Sequence, residues 1–108
     1  MLLLRSIVRP DKKDAVLAEL SQSGFHAATV VDVVGRGKQK GIKIGSMVYD
    51  EIPKTLIIMA IEDADRDRAI DVILKAARTG EKGAFGDGKI FVSPVEEAYT
   101  ISSGLKGL

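Results

Sequence analysis

The chain contains no cysteine. Disulfides, thiolate nucleophiles and thiolate metal sites are therefore excluded. Tryptophan is absent as well and aromatic residues make up only 5% of the sequence, which argues against base-stacking platforms for nucleic acid. The single histidine, His26, cannot build a metal cluster within one chain, and nothing resembles a nucleophile–base pair. Charge of one sign is also lacking: 16 Lys and Arg stand against 15 Asp and Glu, for a net charge of +1. Bulk electrostatics therefore point neither to nucleic acid nor to a membrane surface. No apolar run approaches the roughly 20 residues that span a bilayer, and the opening MLLLRSIVRP lacks the basic and long apolar regions of a signal peptide. These absences predict a cytoplasmic binding protein, not embedded in membrane and not an enzyme.

With 108 residues, 45% of them hydrophobic, the chain suits one domain, residues 1–108, with a core of its own. Leu2–Val8 reads as a strand, stopped at Arg9-Pro10-Asp11. Pro10 suits a first helical turn, and Asp11 and Asp14 favour the positive end of a helix dipole. Val16, Leu17 and Leu20 share one face of a helix predicted over Lys13–Ser23, with Gly24 past its end. Ala27–Val34 is a second predicted strand. Arg36–Glu51 has no clear period and predicts a long mobile loop, of the kind that is usually functional in a compact domain. Thr55–Ile61 predicts a buried strand, Glu62-Asp63 a helix cap, and Asp65–Arg78 a second helix with Ala69, Ile70, Ile73, Leu74 and Ala77 on one face. Lys89–Val92 is a further strand, and Glu97–Ile101 a short final one after the break at Pro94.

The two halves repeat. Asp11-Lys-Lys-Asp-Ala-Val16 and Asp65-Arg-Asp-Arg-Ala-Ile70 both follow an apolar strand, half a chain length apart. A βαββαβ order with equivalent halves predicts an α+β, ferredoxin-like sandwich: a four-stranded antiparallel sheet with both helices on one face. Leu56–Ile61 and Ile90–Val92 are apolar at consecutive positions rather than alternating. That pattern predicts burial on both faces, and with no third layer in the chain it predicts an oligomer whose sheets pack together.

Gly83-Ala-Phe-Gly-Asp-Gly-Lys-Ile-Phe-Val92 places a glycine-rich loop and one lysine before a strand. Successive backbone N–H groups can cradle an anion, and Lys89 adds a point charge. The order is helix, loop, strand, so this is not a Walker loop, which leads into a helix. A plain helix-to-strand turn needs the same glycines. Asp87 between two glycines suits an Asx-type turn. Gly35-Arg-Gly-Lys-Gln-Lys-Gly41 is a second glycine-and-cation cluster. In the predicted sheet the two clusters lie at opposite edges, far apart within one subunit, and would meet across a subunit boundary in a site suited to a polyphosphate. Lys54, where the loop re-enters the sheet, suits either a small carboxylate or an ordinary surface role.

Taken jointly, Arg9-Pro10, Gly35–Gly41, Pro53-Lys54, Thr79-Gly80 and Gly86-Asp-Gly-Lys-Ile-Phe-Val92 resemble the P-II signal-transduction family, the nitrogen regulatory proteins, over essentially the whole chain. The resemblance implies a trimer with ATP or ADP in each cleft between subunits. It implies a phosphate loop at about 79–89, in which Thr79, Gly86, Asp87, Gly88 and Lys89 bind nucleotide. Gly35, Gly37, Lys38 and Gln39 would approach the nucleotide from the neighbouring chain, with Thr29 near the base. It further implies 2-oxoglutarate at Gln39, Lys40, Gly41 and Lys54, beside Mg2+ carried on ATP and met by Gln39. Residues 37–52 would be the partner-binding T-loop.

Three departures from the family pattern stand out. Met47 falls about where the family's T-loop carries a tyrosine that is uridylylated, and Tyr49 lies nearer the sheet. Glu81–Phe85 lengthens the phosphate loop, and Thr100 and Ser102 stand where the family offers phosphate-binding arginines. Two charge-assisted contacts are thereby lost. A T-loop shorter than the family's, Lys38 and Val95-Glu-Glu-Ala-Tyr-Thr100 resemble the nitrogen-fixation branch, which implies control of nitrogenase, as a homotrimer or together with a paralogous P-II subunit. Two alternatives are kept: a structural subunit whose cleft the paralogue completes, and control of an ammonium transporter.

Overall fold

The computed structural model describes residues 1–36, 42–44, 47–49 and 51–108. Six strands and two helices are described: β1 (Leu2–Val8), α1 (Lys13–Gln22), β2 (Thr29–Gly35), β3 (Ile42–Ile44), β4 (Met47–Tyr49), β5 (Ile52–Ile61), α2 (Arg66–Ala77) and β6 (Gly88–Pro94). β2, β5, β1 and β6 form one antiparallel sheet in that order, and β3 and β4 pair separately. With both helices packed on one sheet face, this is the α+β ferredoxin-like arrangement that the sequence repeat predicts.

The repeat is visible in how each helix begins. A short 3-10 turn, Pro10–Lys12 or Asp63–Asp65, leads into α1 or α2. The turns close by equivalent bonds, Lys12 N–H to Arg9 O and Asp65 N–H to Glu62 O, both 3.0 Å. The expected side-chain cap at Glu62-Asp63 is not formed. The Asp63 carboxylate instead meets the Met1 amine at 2.9 Å.

Between the layers lie Leu4 and Val8 of β1, Ile57, Met59 and Ile61 of β5, Val16 and Leu20 of α1, and Ala69, Ile73 and Ala77 of α2. The four-residue spacing on α2 puts one stripe on the sheet. Each fully buried Leu or Ile contributes about 1.5–3 kcal/mol. The opposite sheet face is also apolar. Leu3, Ile7, Leu56 and Ile58 are only half-buried there, and Val31 and Phe91 are exposed.

Three further expectations are corrected. The stretch expected to be loop from Arg36 to Glu51 contains the β3–β4 hairpin, with Ile42 opposite Tyr49. β5 begins at Ile52 and runs through Pro53, before the predicted start at Thr55. Proline is tolerated because β1 ends opposite Thr55 and leaves one side of Pro53 without a strand. Glu97–Ile101 does not add a strand to the sheet. Residues 98–107 fold on themselves through Thr100 N–H to Leu105 O (2.9 Å) and Gly107 N–H to Ala98 O (2.8 Å), leaving a single bridge between Tyr99 and Lys106.

Candidate functional site

At one end of the sheet β5 outruns β1. Gly35 pairs with Ile52, whereas Val8 is the last β1 residue and pairs with Thr55. The missing rungs leave a notch, and the loop between α2 and β6 crosses it. The result is a cleft of about 500 Å3 whose walls include Gly35, Arg36, Lys54, Gly86, Gly88 and Lys89. Ile7, Ile52, Phe85 and Phe91 supply its apolar lining. Among the described residues three cations and no carboxylate face it, which suits an anionic ligand with an apolar part.

The loop is held from below by charge. Asp87 accepts four hydrogen bonds: from Thr79 Oγ1–H (2.6 Å), Thr79 N–H (3.0 Å), Ala84 N–H (2.8 Å) and Arg9 Nε–H (2.9 Å). Burial pushes its carboxyl upward, but the bonds from Thr79, Ala84 and Arg9 outweigh burial and hold it well below the usual carboxylate range. Arg9 also donates from Nη2 to Phe85 O at 2.6 Å. Lys54 Nζ donates to Gly86 O. Burial first, and then the nearby Arg9 cation, lower the Lys54 ammonium from its ordinary value, opposed by Asp87 and Asp11. Gly88 closes the arrangement. Its φ is +116°, and a Cβ there would overlap the Ile7 carbonyl, so only glycine lets the loop join the sheet at this rung.

The sequence-predicted residues divide. Gly35, Lys54, Gly86, Gly88 and Lys89 share the cleft within one chain. For Gly35 and Arg36, the described part of the second cluster, this corrects the expectation that they lie far from Gly86–Lys89 within a subunit. The sheet is only four strands wide, about 15 Å between its edges, and the loop crosses the notch. Thr29 stands at the other end of β2, opposite Ile58 and exposed. Thr79 and the Asp87 carboxylate lie beneath the loop, where Asp87 borders a separate cavity of about 100 Å3 next to Ala77 and Arg78. Gly37, Lys38, Gln39, Lys40 and Gly41, and most of the predicted 37–52 loop, fall outside the described residues. Thr100 and Ser102 are exposed in the 98–107 turn. Sequence reasoning gave no chemistry to Arg9 or Phe85, and to Arg36 only as one cation of the second cluster. The Arg-Pro step after a strand was the available signal for Arg9, whose role depends on a partner 78 positions away.

The family described as nitrogen regulatory protein P-II matches residues 1–104. This chain belongs to the P-II family. It is a regulator, not an enzyme, and relatives at about 50% identity bear the names of the nitrogen-fixation branch. It is 51% identical over 108 residues, the whole of both chains, to the "Nitrogen fixation nifHD region glnB-like protein 1" of Methanococcus maripaludis. It is 48% identical, again over the whole of both chains, to a protein of the same description from Methanothermobacter marburgensis. A "Nitrogen regulatory protein P-II 2" from Methanothermobacter thermautotrophicus is 40% identical over 106 residues, covering 94% of this chain and 90% of that one. No helix among the described residues of this P-II protein is long and apolar enough to cross a membrane.

Proposed function

We propose that this P-II protein senses ATP or ADP together with 2-oxoglutarate and controls nitrogenase in the cytoplasm. Residues 1–108 would act as one unit, with 37–52 as the effector loop. The observation that carries the reading is the notch cleft, which joins Gly86–Lys89 to the base of that loop at Gly35, Ile52 and Lys54. The donor set fits phosphate: backbone of Gly86 and Gly88, with Lys89 and Arg36. Lys54 would exchange Gly86 O for a carboxylate of 2-oxoglutarate, beside Gln39, Lys40 and Gly41. Mg2+ would be held mainly by the nucleotide phosphates, with Gln39. Each ligand can move the 37–52 segment only by its differential affinity for two states of that segment.

The second sheet face supports an oligomer. Leu3, Ile7, Leu56, Ile58 and Phe91 present an apolar surface that another copy, or a paralogous P-II subunit, would cover. The expected form is a trimer, with Thr29 of one chain near the nucleotide of the next; native mass spectrometry reads the assembly directly.

Calorimetry tests the sensor. ATP or ADP binding at sub-millimolar concentration, strengthened by 2-oxoglutarate, is the expected result, and no heat at millimolar nucleotide would sink it. Thr100 and Ser102 motivate the second reading, a structural subunit whose cleft is completed by a paralogue. Under the sensor reading, arginine at both positions strengthens ATP binding by about tenfold or more; no gain favours the structural subunit. Purified nitrogenase and a purified ammonium transporter, each titrated with the protein, distinguish the two targets.

A further inference from the structure

The Asp87 carboxylate is the most heavily bonded side chain of the loop, and it does not line the 500 Å3 cleft that its neighbours Gly86, Gly88 and Lys89 line. Its side chain is 18% exposed. Thr79 and Ala84 each give it a backbone N–H, so it ties the beginning and middle of the loop to its end. Arg9 neutralises its charge and, with its second donor, takes Phe85 O. Across a trans peptide the N–H lies opposite the C=O, so Arg9 also directs the Gly86 N–H away from itself. The next peptide is fixed twice, by Lys54 on Gly86 O and by Asp87 N–H on Ala84 O (3.2 Å). Two consecutive peptide groups thus have their orientation set by side chains from the end of β1 and the start of β5.

We propose that Asp87, paired with Arg9, is a positioning residue of this P-II protein: it orients the Gly86–Lys89 backbone for an anionic ligand and never touches that ligand or its metal. The reasoning is chemical as well as geometric. A free carboxylate beside phosphates would repel them, whereas this one is screened by a guanidinium and turned away from the cleft. A carboxylate with four donors on it has little capacity left for a divalent cation. The inference rests on the nucleotide reading above, and it reassigns Asp87 from ligand contact to scaffold.

The test is Asp87→Asn in the full chain, with ATP affinity measured in the presence and absence of Mg2+. The carboxamide keeps the shape, but its NH2 in place of Oδ1 faces the Arg9 Nε–H, so the pair with Arg9 is lost. Affinity should fall about tenfold or more, the equivalent of one lost charge-assisted bond, and by the same factor with and without Mg2+. A loss confined to Mg2+-containing samples would make Asp87 a metal ligand and overturn the proposal, as would unchanged affinity. A second pair of variants covers a failure of Asp87→Asn to fold. Thr79→Val should weaken ATP binding and Thr79→Ser should recover it, because only the hydroxyl bond to Asp87 is required; equal weakening by both would count against the role. Hydrogen exchange needs no ligand. The Thr79 and Ala84 amides should exchange about tenfold or more faster in Asp87→Ala, which removes the oxygen that accepts both, as expected for a lost hydrogen bond, with β5 amides unchanged. Unaltered exchange at both overturns the staple. If the unsubstituted chain binds no nucleotide, the sensor reading fails, while the exchange result still decides the staple.

Discussion

Residues 23–28 and residues 78–87 make the same connection, from a helix back to an edge strand, in the two halves of the chain. The first is closed chiefly by backbone, Gly24 N–H to Ser21 O at 3.0 Å and Phe25 N–H to Leu20 O at 2.8 Å, with Arg68 of α2 donating to Ser23 O. Phe25 then packs on the core, with the Arg68 guanidinium 4.3 Å from its ring centre. The second is closed by a carboxylate, Asp87, and by cations from two other strands. The first connection is thereby tied to the helix layer, to α1 by its peptide groups and to α2 through Arg68. The second, closed by Arg9 and Lys54, is tied to the sheet, and its shape follows the ends of β1 and β5. Of the two connections in the duplicated scaffold, only the second borders the cleft.

Substitutions can break this contrast. Gly24 and Gly88 both have positive φ, +92° and +116°, but a Cβ at Gly24 meets open space whereas one at Gly88 overlaps the Ile7 carbonyl. Gly88→Ala should cost about 3 kcal/mol or more, read as a fall in the urea midpoint. Asp87→Asn should cost about 1–3 kcal/mol at pH 7. Its pH dependence has a definite sign. The folded-state pKa lies below the unfolded one, so the stability is present above about pH 4 and is lost as pH falls below it. Urea melts at pH 7 and pH 3 should show the gap between Asp87→Asn and the unsubstituted chain shrinking at the lower pH.

Gly24→Ala should cost only about 1 kcal/mol, the strain of positive φ by itself. A loss equal to that of Gly88→Ala would show that φ, not the overlap with Ile7, sets both. The smallest effect belongs to Arg68→Ala, which removes the stacking on Phe25 and the bond to Ser23 O. About 0.5–1 kcal/mol is expected, with no change in nucleotide affinity, since nothing couples the first connection to the cleft.

The elements that were legible in the sequence are those decided by local pattern. Leu2–Val8, the amphipathic stripes of α1 and α2, and the glycine at Gly24 depend on periodicity and turn chemistry, and the structure follows them. What was missed depends on partners distant in sequence. Pro53 is acceptable inside β5 only because β1 stops two rungs earlier. Residues 98–107 fold on themselves rather than join the sheet, a choice between local and distant pairing that Val-, Glu- and Tyr-containing sequence does not make. The β3–β4 hairpin is different: Ile42-Lys43-Ile44 alternates and Gly45-Ser46 separates it from Met47–Tyr49, a local signal hidden by the aperiodic glycine and lysine stretch before it. The cleft itself was half legible. The glycines and cations of both clusters were evident, but that Gly35 and Arg36 share a cleft with Gly86, Gly88 and Lys89 within one chain requires knowing that β5 overruns β1.

That overrun has a mechanical meaning. Gly35 and Ile52, which bracket the segment between β2 and β5, face each other on one rung of the ladder. Their Cα atoms are therefore held about 5 Å apart. Both feet of the segment stand on a single crossbar, so no signal can travel by drawing them apart. A ligand in the notch can act only by twisting that crossbar or by contacting the segment directly, and Lys54, two residues past the second foot, is where such a torque would be applied.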